Sequence, residues 1–230
     1  MKKLILIILL LNLIGCINQG EKAKKNSLTR RNLKGKIENV EQSQYYLIDN
    51  FGKIEKGNLI FKNITKYNEQ GVKLEENSYL DLGIFLSNST YKYDDLGNEI
   101  EENVYNSDRI LVGKNISKYD ELGNAIEINF YNVDGSLNSK KTYKYDENAN
   151  QIEGNNYNAK GILLSHRTYK YDNNGNEIEY SCYNSNGSLH DKSTSKYEFD
   201  DEGNWIRQFI KKDNSDNYTE IIERIIKYYK

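Results

Sequence analysis

The chain of 230 residues has no proline, only two cysteines and only two histidines. Two cysteines can form one disulfide at most, so the sequence excludes a disulfide-rich scaffold. Hydrophobic residues make up 37% of the chain and include 20 tyrosines, which excludes a large aliphatic core. The net charge of -2 lacks the basic excess that is typical of nucleic-acid-binding proteins, so we expect no nucleic-acid partner.

The N-terminal residues 1–16 read MKKLILIILLLNLIGC, with two lysines before an apolar run from Leu4 to Leu11. The run is shorter than the roughly 20 apolar residues that a membrane-spanning helix needs, which favours a signal peptide. Its end, Leu13 to Cys16, resembles the lipobox of bacterial lipoproteins. The resemblance implies cleavage before Cys16, acylation of that cysteine, and a lipid anchor in the cell envelope, at the outer membrane or the cell surface. A secretory signal with an incidental cysteine is the alternative.

Residues 16–42 differ from the rest of the chain because they are rich in lysine and arginine and show no periodic apolar pattern. We interpret them as a flexible tether, and contact of their basic side chains with anionic lipid headgroups is the alternative. The predicted organisation is therefore a signal peptide at residues 1–15, a lipidated Cys16 with its tether at 16–42, and a repeat domain at 43–230.

A repeat of 26 residues organises the chain from residue 43 onward. The period is clearest at a tyrosine in the motif Lys-Tyr-Asp or a close variant, which recurs as Tyr67, Tyr93, Tyr119, Tyr145, Tyr171 and Tyr197. Each period contains two turn signals, such as Asp94 to Gly97 and Asn132 to Gly135, so each repeat is predicted to be a β-hairpin. We expect an all-β fold of about 12 to 14 strands, in which residues 221–229 form a capping strand in preference to a short helix.

The predicted register places Tyr91 opposite Ile100 and gives the sheet one apolar face, which includes Leu111. Lys141 and Arg167 interrupt that face, so it cannot be dry throughout. A stagger of two residues per hairpin predicts a coiled antiparallel meander. Two forms remain possible at this point, an open and strongly twisted sheet or a strip that curls around a partly wet interior.

The units YKYDDLGNEIE and TYKYDNNGNEIE resemble the YD repeats of RHS-type bacterial surface and secreted proteins. The resemblance covers roughly residues 45–211 and depends on the core Tyr-Asp-x-x-Gly-Asn at a fixed period. It implies β-hairpins that assemble into a coiled sheet. We expect neither the hollow shell nor the toxin domain of large family members, although an immunity or accessory role in an RHS-type system is an alternative.

No catalytic arrangement is apparent, so we expect no enzyme activity, no cofactor and no metal site. Cys182 falls on the predicted apolar face as a buried free thiol, whereas His166 and His190 fall on the opposite face and cannot activate it. The turn that begins at Asp172 has the residue types of a calcium loop, but a hairpin turn requires them in any case.

The remaining candidate site is a tyrosine ladder on the polar face of every second strand, formed by Tyr79, Tyr105, Tyr131, Tyr157 and Tyr183. With strands about 4.8 Å apart, the ladder would step by roughly 10 Å, which is comparable with a disaccharide repeat. Rings that only cover their own sheet are the alternative.

We therefore predict a membrane-anchored surface lipoprotein that acts as a binding or adhesion module for a polysaccharide or a surface protein. A structural envelope or assembly protein, which would use unpaired sheet edges, is the second hypothesis.

Overall fold

The computed structural model describes residues 26–230, so the predicted signal peptide and the predicted lipidation of Cys16 lie outside the described residues. One sheet of antiparallel strands closes into a barrel, after a one-turn helix, α1 (Ser27–Arg30). The strands are β1 (Ile37–Asn50), β2 (Lys53–Tyr67), β3 (Lys73–Tyr79), β4 (Phe85–Tyr93), β5 (Glu99–Asn106), β6 (Leu111–Tyr119), β7 (Ala125–Tyr131), β8 (Leu137–Tyr145), β9 (Gln151–Asn158), β10 (Leu163–Tyr171), β11 (Glu177–Asn184), β12 (Leu189–Phe199), β13 (Trp205–Lys212) and β14 (Glu220–Tyr228). The all-β meander is confirmed, and its last segment is a strand.

Closure of the barrel corrects the expectation of a coiled sheet with free edges. Val40 of β1 lies opposite Ile226 of β14 on one side and opposite Thr65 of β2 on the other. Staggered strands tilt relative to the barrel axis, and this tilt allows the first and last strands to meet. Among the described strands no edge is left unpaired, which removes the observation behind the assembly hypothesis.

A β-bulge beside the turns shifts the register from the predicted one. Tyr93 lies opposite Glu99 and Tyr91 lies opposite Glu102, so Ile100 is the extra residue of the bulge. The predicted pairing of Tyr91 with Ile100 is wrong, because counting a four-residue turn does not reveal the additional residue that follows it.

The bulges move part of the predicted apolar face to the outside of the barrel. Ile100 is 37% exposed, and Leu111 lies opposite Tyr105 at an outer groove. Lys141 and Arg167 point inward, as the interruption of the predicted apolar face indicated. The inner face carries mostly tyrosines and polar side chains, including Tyr91, Tyr93, Tyr119, Tyr143, Tyr145, Tyr169, Tyr171 and Tyr197.

The residues before β1, here called the N-terminal segment (residues 26–36), cross one end of the barrel. The Arg30 guanidinium donates to the carbonyl oxygen of Gly97 in the β4–β5 turn, and the Asn32 amide donates to that of Asn174 in the β10–β11 turn. The structure therefore places these residues in the folded domain, whereas the sequence predicted a tether as far as residue 42. Within residues 26–230, no helix has the length and apolar character needed to cross a membrane.

A small apolar core lies beneath the N-terminal segment. Its buried members come from the segment itself and from β1 and β2, namely Leu28, Leu33, Ile37, Val40 and Tyr67. Because two of these five side chains precede β1, the segment contributes apolar burial as well as hydrogen bonds to the fold.

The repeated tyrosine connects adjacent hairpins at the same end of the barrel. The Tyr119 hydroxyl donates to the carbonyl oxygen of Glu99 at 2.8 Å, and the Tyr145 hydroxyl donates to that of Ala125 at 2.7 Å. The same bond, across 20 residues, is made by Tyr93, Tyr171 and Tyr197. This tyrosine therefore has a structural role at the five positions from Tyr93 to Tyr197.

Candidate functional site

A cavity, here called the mouth cavity, lies between the N-terminal segment and the turns of β6 to β11. Its volume is about 1160 Å³. Amide and aromatic side chains line it, including Asn124, Asn150, Asn176, Gln151, Gln208, Tyr145, Tyr169, Tyr171, Tyr197 and Trp205. Amide groups both donate and accept hydrogen bonds, and aromatic rings offer flat apolar surfaces. This combination suits a polar ligand that also has apolar faces, such as a sugar.

The turn asparagines reach the cavity because each one is held by the aspartate that begins its turn. Asn150 donates from its backbone amide to Oδ1 of Asp146 at 2.8 Å and from Nδ2 to Oδ2 at 2.9 Å. These bonds use the backbone donor and one side-chain N–H, and they leave the side-chain oxygen as an acceptor. At Asn98 and Asn204 that oxygen accepts a hydrogen bond from the N-terminal segment. The corresponding residues Asn150 and Asn176 line the mouth cavity.

Glu177 adds a titratable carboxyl group to the mouth cavity. Burial raises its pKa to about 7, well above the usual value for a glutamate. Within residues 26–230 no lysine or arginine forms a salt bridge with it; the ion pairs of the barrel involve other acids. Near neutral pH this carboxyl group is therefore partly protonated and can donate or accept a hydrogen bond.

A second inner cavity, here called the arginine cavity, has a volume of about 330 Å³ and lies between Arg31 and Arg224. Arg31 donates to Oε2 of Glu76 at 3.1 Å, and Tyr67 lies on the same wall. Burial alone would lower the pKa of Arg31, but Tyr67 and Glu76 raise it above its ordinary value. The positive charge of Arg31 is thus compensated within the protein.

Arg224 is held in the arginine cavity without a carboxylate partner among the described residues. Its Nε donates to Oε1 of Gln42 at 3.0 Å, and its guanidinium carbon lies 3.2 Å from the centre of the Trp205 ring. Burial, together with the positive charge of Arg31, lowers the pKa of Arg224 to about 9. The Nη1 atom of Arg224 and the hydroxyl of Tyr67 are buried and lack a hydrogen-bond partner within the described chain.

The predicted tyrosine ladder lies on the outer face of the barrel, where each of its rings is half-buried. Tyr105 and Tyr131 line an outer groove of about 480 Å³. Tyr79 packs edge-on against Phe85, with 5.5 Å between the ring centroids. The rings thus cover part of their own sheet, and a role in ligand binding stays a prediction.

Cys182 and His166 lie on opposite faces, as the sequence predicted. Cys182 is a free, buried thiol opposite Arg167, whereas the His166 ring lies on the outer face with Nδ1 at 2.9 Å from Oδ1 of Asn155. In the part of the chain that the structure describes, no three histidine, cysteine, aspartate or glutamate residues are grouped as metal ligands would be.

Sequence reasoning did not find the arginine cavity. Arg31 was assigned to the tether and Arg224 to a terminal strand, and both residues lie outside the regular repeat. One signal was present, because Arg224 shares the inner face of β14 with Ile222 and Ile226. A charged residue among apolar residues on one strand face indicates a buried cation.

Comparison with known proteins gives no family assignment: no protein-family model and no curated protein matches the chain. A porin-like protein from Bacteroides uniformis is similar over 83% of this chain and 98% of its own, with 11% identity and a TM-score of 0.48. A porin-like protein from Bacteroides vulgatus is similar over 84% and 98%, with 15% identity and a TM-score of 0.48. A putative outer membrane lipoprotein-sorting protein domain from Vibrio parahaemolyticus is similar over 86% and 89%, with 9% identity and a TM-score of 0.37. Similarity at these values assigns no function.

The resemblance to YD repeats of RHS-type proteins is wrong as a family prediction. Pairing of β1 with β14 closes a barrel, whereas the resemblance implied a coiled sheet. The motif Tyr-Asp-x-x-Gly-Asn has a local cause, since it builds the turn and supplies the hydroxyl that bonds the preceding hairpin. Any meander that uses this turn can repeat the motif.

Proposed function

We propose that the protein is a membrane-anchored binding protein of the bacterial cell envelope, which is held by a lipid on Cys16 and takes a glycan fragment into the mouth cavity. The observation that supports the proposal is the lining of that cavity by amides and aromatic rings at the end of the barrel. The proposal includes no catalytic step and no cofactor.

The position of the N-terminal segment is compatible with such an anchor. The Asn26 side chain donates to the carbonyl oxygen of Gln70 in the β2–β3 turn, at the same end of the barrel as the mouth cavity. The ten residue steps from Cys16 to Asn26 can span at most roughly 36 Å when extended. A lipid on Cys16 would therefore keep the mouth cavity close to the membrane surface.

The aromatic wall of the cavity has the chemistry that sugar rings require. Tyr197 and Trp205 lie with 5.7 Å between their ring centroids, and the amide groups of Gln151 and Gln208 lie on the same cavity surface. The C–H faces of a sugar pack on aromatic rings, while its hydroxyl groups need both donors and acceptors. An oligosaccharide can use both properties at once.

A binding measurement on a glycan array tests the proposal with the variant Q151A/Q208A. We expect at least a tenfold loss of affinity, because the variant removes two amide side chains from the cavity wall. The double variant Y105A/Y131A is the matched control on the outer face. A wild-type protein that binds no glycan would overturn the proposal.

The outer tyrosine ladder is a second candidate, favoured by the groove that Tyr105 and Tyr131 line. It would bind a polysaccharide or a surface protein along the barrel wall. If binding is lost in Y105A/Y131A and kept in Q151A/Q208A, the ladder is the site and the mouth cavity is not.

A further inference from the structure

Three cations on the inner face lack a carboxylate partner within the described residues, namely Lys141, Arg167 and Arg224. Nζ of Lys141 lies over the Phe130 ring at 4.9 Å from its centre, and burial, together with the positive charge of Arg167, lowers the pKa of Lys141. Nε of Arg167 is buried without a hydrogen-bond partner. The interior therefore carries positive charge that the described chain does not neutralise by ion pairs.

Among the described residues no inner acid forms an ion pair with Lys141, Arg167 or Arg224. Glu76 pairs with Arg31, and Glu99 pairs with Lys73 at 3.1 Å. Oε2 of Glu102 accepts a hydrogen bond from Asn115. Of the other acids that line the mouth cavity, Asp146 and Asp172 accept hydrogen bonds from amides of their own turns. Glu177 has a pKa that burial raises to about 7, so it is only partly charged at neutral pH.

Arg224 offers the best-formed site among these cations. Its Nη1 atom and the Tyr67 hydroxyl are both buried, both unpartnered, and both on the wall of the arginine cavity. A buried guanidinium without a counterion is costly, and an oxyanion that accepts from both donors would remove that cost.

The arginine cavity adjoins the mouth cavity through two shared elements. Arg31 lines both cavities, and Trp205, which lines the mouth cavity, lies directly against the Arg224 guanidinium. The two cavities are therefore neighbours, separated by Arg31 and Trp205.

We infer that the arginine cavity is an oxyanion site that receives a carboxylate or phosphate group of the ligand, with Arg224 Nη1 and the Tyr67 hydroxyl as donors. The carboxylate of Glu76 on the same wall is neutralised by its ion pair with Arg31. This inference rests on the proposed function, and it makes the glycan an acidic one.

Isothermal titration of the purified chain with glucuronate, glucose 6-phosphate and glucose tests the inference, with ionic strength held constant. We expect the wild type to bind at least one acidic sugar ten or more times more tightly than glucose, since hydrogen bonds to charged groups are the stronger ones. The ratio between the two acidic sugars shows whether carboxylate or phosphate is preferred. In R224Q the preference over glucose should fall to about twofold.

One further variant is a matched control, and another removes the second donor of the site. R207Q removes an outer arginine of the neighbouring strand β13, which pairs with Glu198 and Glu223, and it should leave the preference unchanged. Y67F removes only the second donor and should reduce the preference by a few fold, so it tests the site even if R224Q does not fold.

The outcomes separate this inference from the proposed function. Equal binding of glucose and the acidic sugars by the wild type, or an acidic preference that survives in R224Q, would overturn the oxyanion site and leave glycan binding intact. Inorganic phosphate that raises the melting temperature of the wild type but not of R224Q, without binding of any sugar, would support the oxyanion site and overturn the glycan proposal.

Discussion

The two faces of the barrel wall differ in whether their positive charges have carboxylate partners. On the outer face Lys92 lies 2.6 Å from Glu101, and the same lysine–glutamate pair recurs one and two repeats later at Lys118 and Lys144. On the inner face of the same sheet, Arg224 has no such partner within the described residues. Outer pairs are exposed and contribute little each, so they serve mainly register and solubility. An unpaired inner cation costs stability, which is why we assign it a binding role.

The largest expected effect comes from the inner carboxyl group. The folded-state pKa of Glu177 is about 7, above the ordinary value of 4.5, because burial favours the protonated carboxyl group. The stability that this group contributes is therefore complete below pH 4.5 and is lost as the pH rises through 7. E177Q should therefore be more stable than the wild type at pH 8 by up to about 3 kcal/mol, and equal to it at pH 4. Urea unfolding at both pH values measures the difference.

An outer carboxyl group gives the control for that experiment. Hydrogen bonds from Lys118 and Asn129 lower the pKa of Glu127, so its contribution is present at neutral pH and is lost at acid pH. E127Q should be slightly less stable than the wild type at pH 8. If E177Q and E127Q change stability in the same direction, the contrast between the two faces is wrong.

Replacing the unpaired inner cation should stabilise the barrel. R224M keeps much of the side-chain volume and removes the uncompensated charge, so we expect the free energy of unfolding to rise by about 1–2 kcal/mol in a buffer without oxyanions. Chemical denaturation is the measurement. R207M, on the outer face, loses exposed ion pairs, so its free energy of unfolding should fall by less than about 1 kcal/mol. A clear loss of stability in R224M would show that contacts with Trp205 and Gln42 outweigh the cost of the charge.

Removal of a tyrosine hydroxyl should affect stability more on the inner face than on the outer face, but by a smaller amount. Y145F deletes the hydroxyl that bonds to the carbonyl oxygen of Ala125 on the inner side and should cost about 1 kcal/mol. Y131F changes a ring of the outer ladder and should leave the melting temperature almost unchanged. Equal effects would indicate that the inner hydroxyl bond does not hold adjacent hairpins together.

The smallest effect is expected from a single outer ion pair. K92Q breaks the contact with Glu101, but the Lys92 side chain is 66% exposed, so the loss should stay below about 0.5 kcal/mol and shrink with added salt. Denaturation at low and high ionic strength checks both statements. A loss that does not depend on salt would mean that Lys92 acts through packing of its aliphatic stem.

The features that depend on neighbouring residues were predicted correctly from the sequence. The turn at Asp94 to Gly97 forms as predicted, because the aspartate carboxylate accepts from the following amides and glycine tolerates a φ of 77°. The register was wrong because Ile100 enters a bulge, and one extra residue sends the next side chain to the other face. Arg31 and Arg224 could not be brought together from sequence, since one precedes the first strand and the other lies in the last.

The sequence by itself determined the hairpins, a count of 12 to 14 strands and the polar sheet face that carries the tyrosine ladder, because turn chemistry and strand alternation act over a few residues. Only the tertiary structure decided that the sheet closes, that the N-terminal segment covers one end and that unpaired cations face the interior. Each of these features depends on contacts between distant parts of the chain, such as the ion pair of Glu38 with Lys227 across the β1–β14 seam. A local repeat contains no information about which strands meet at that seam.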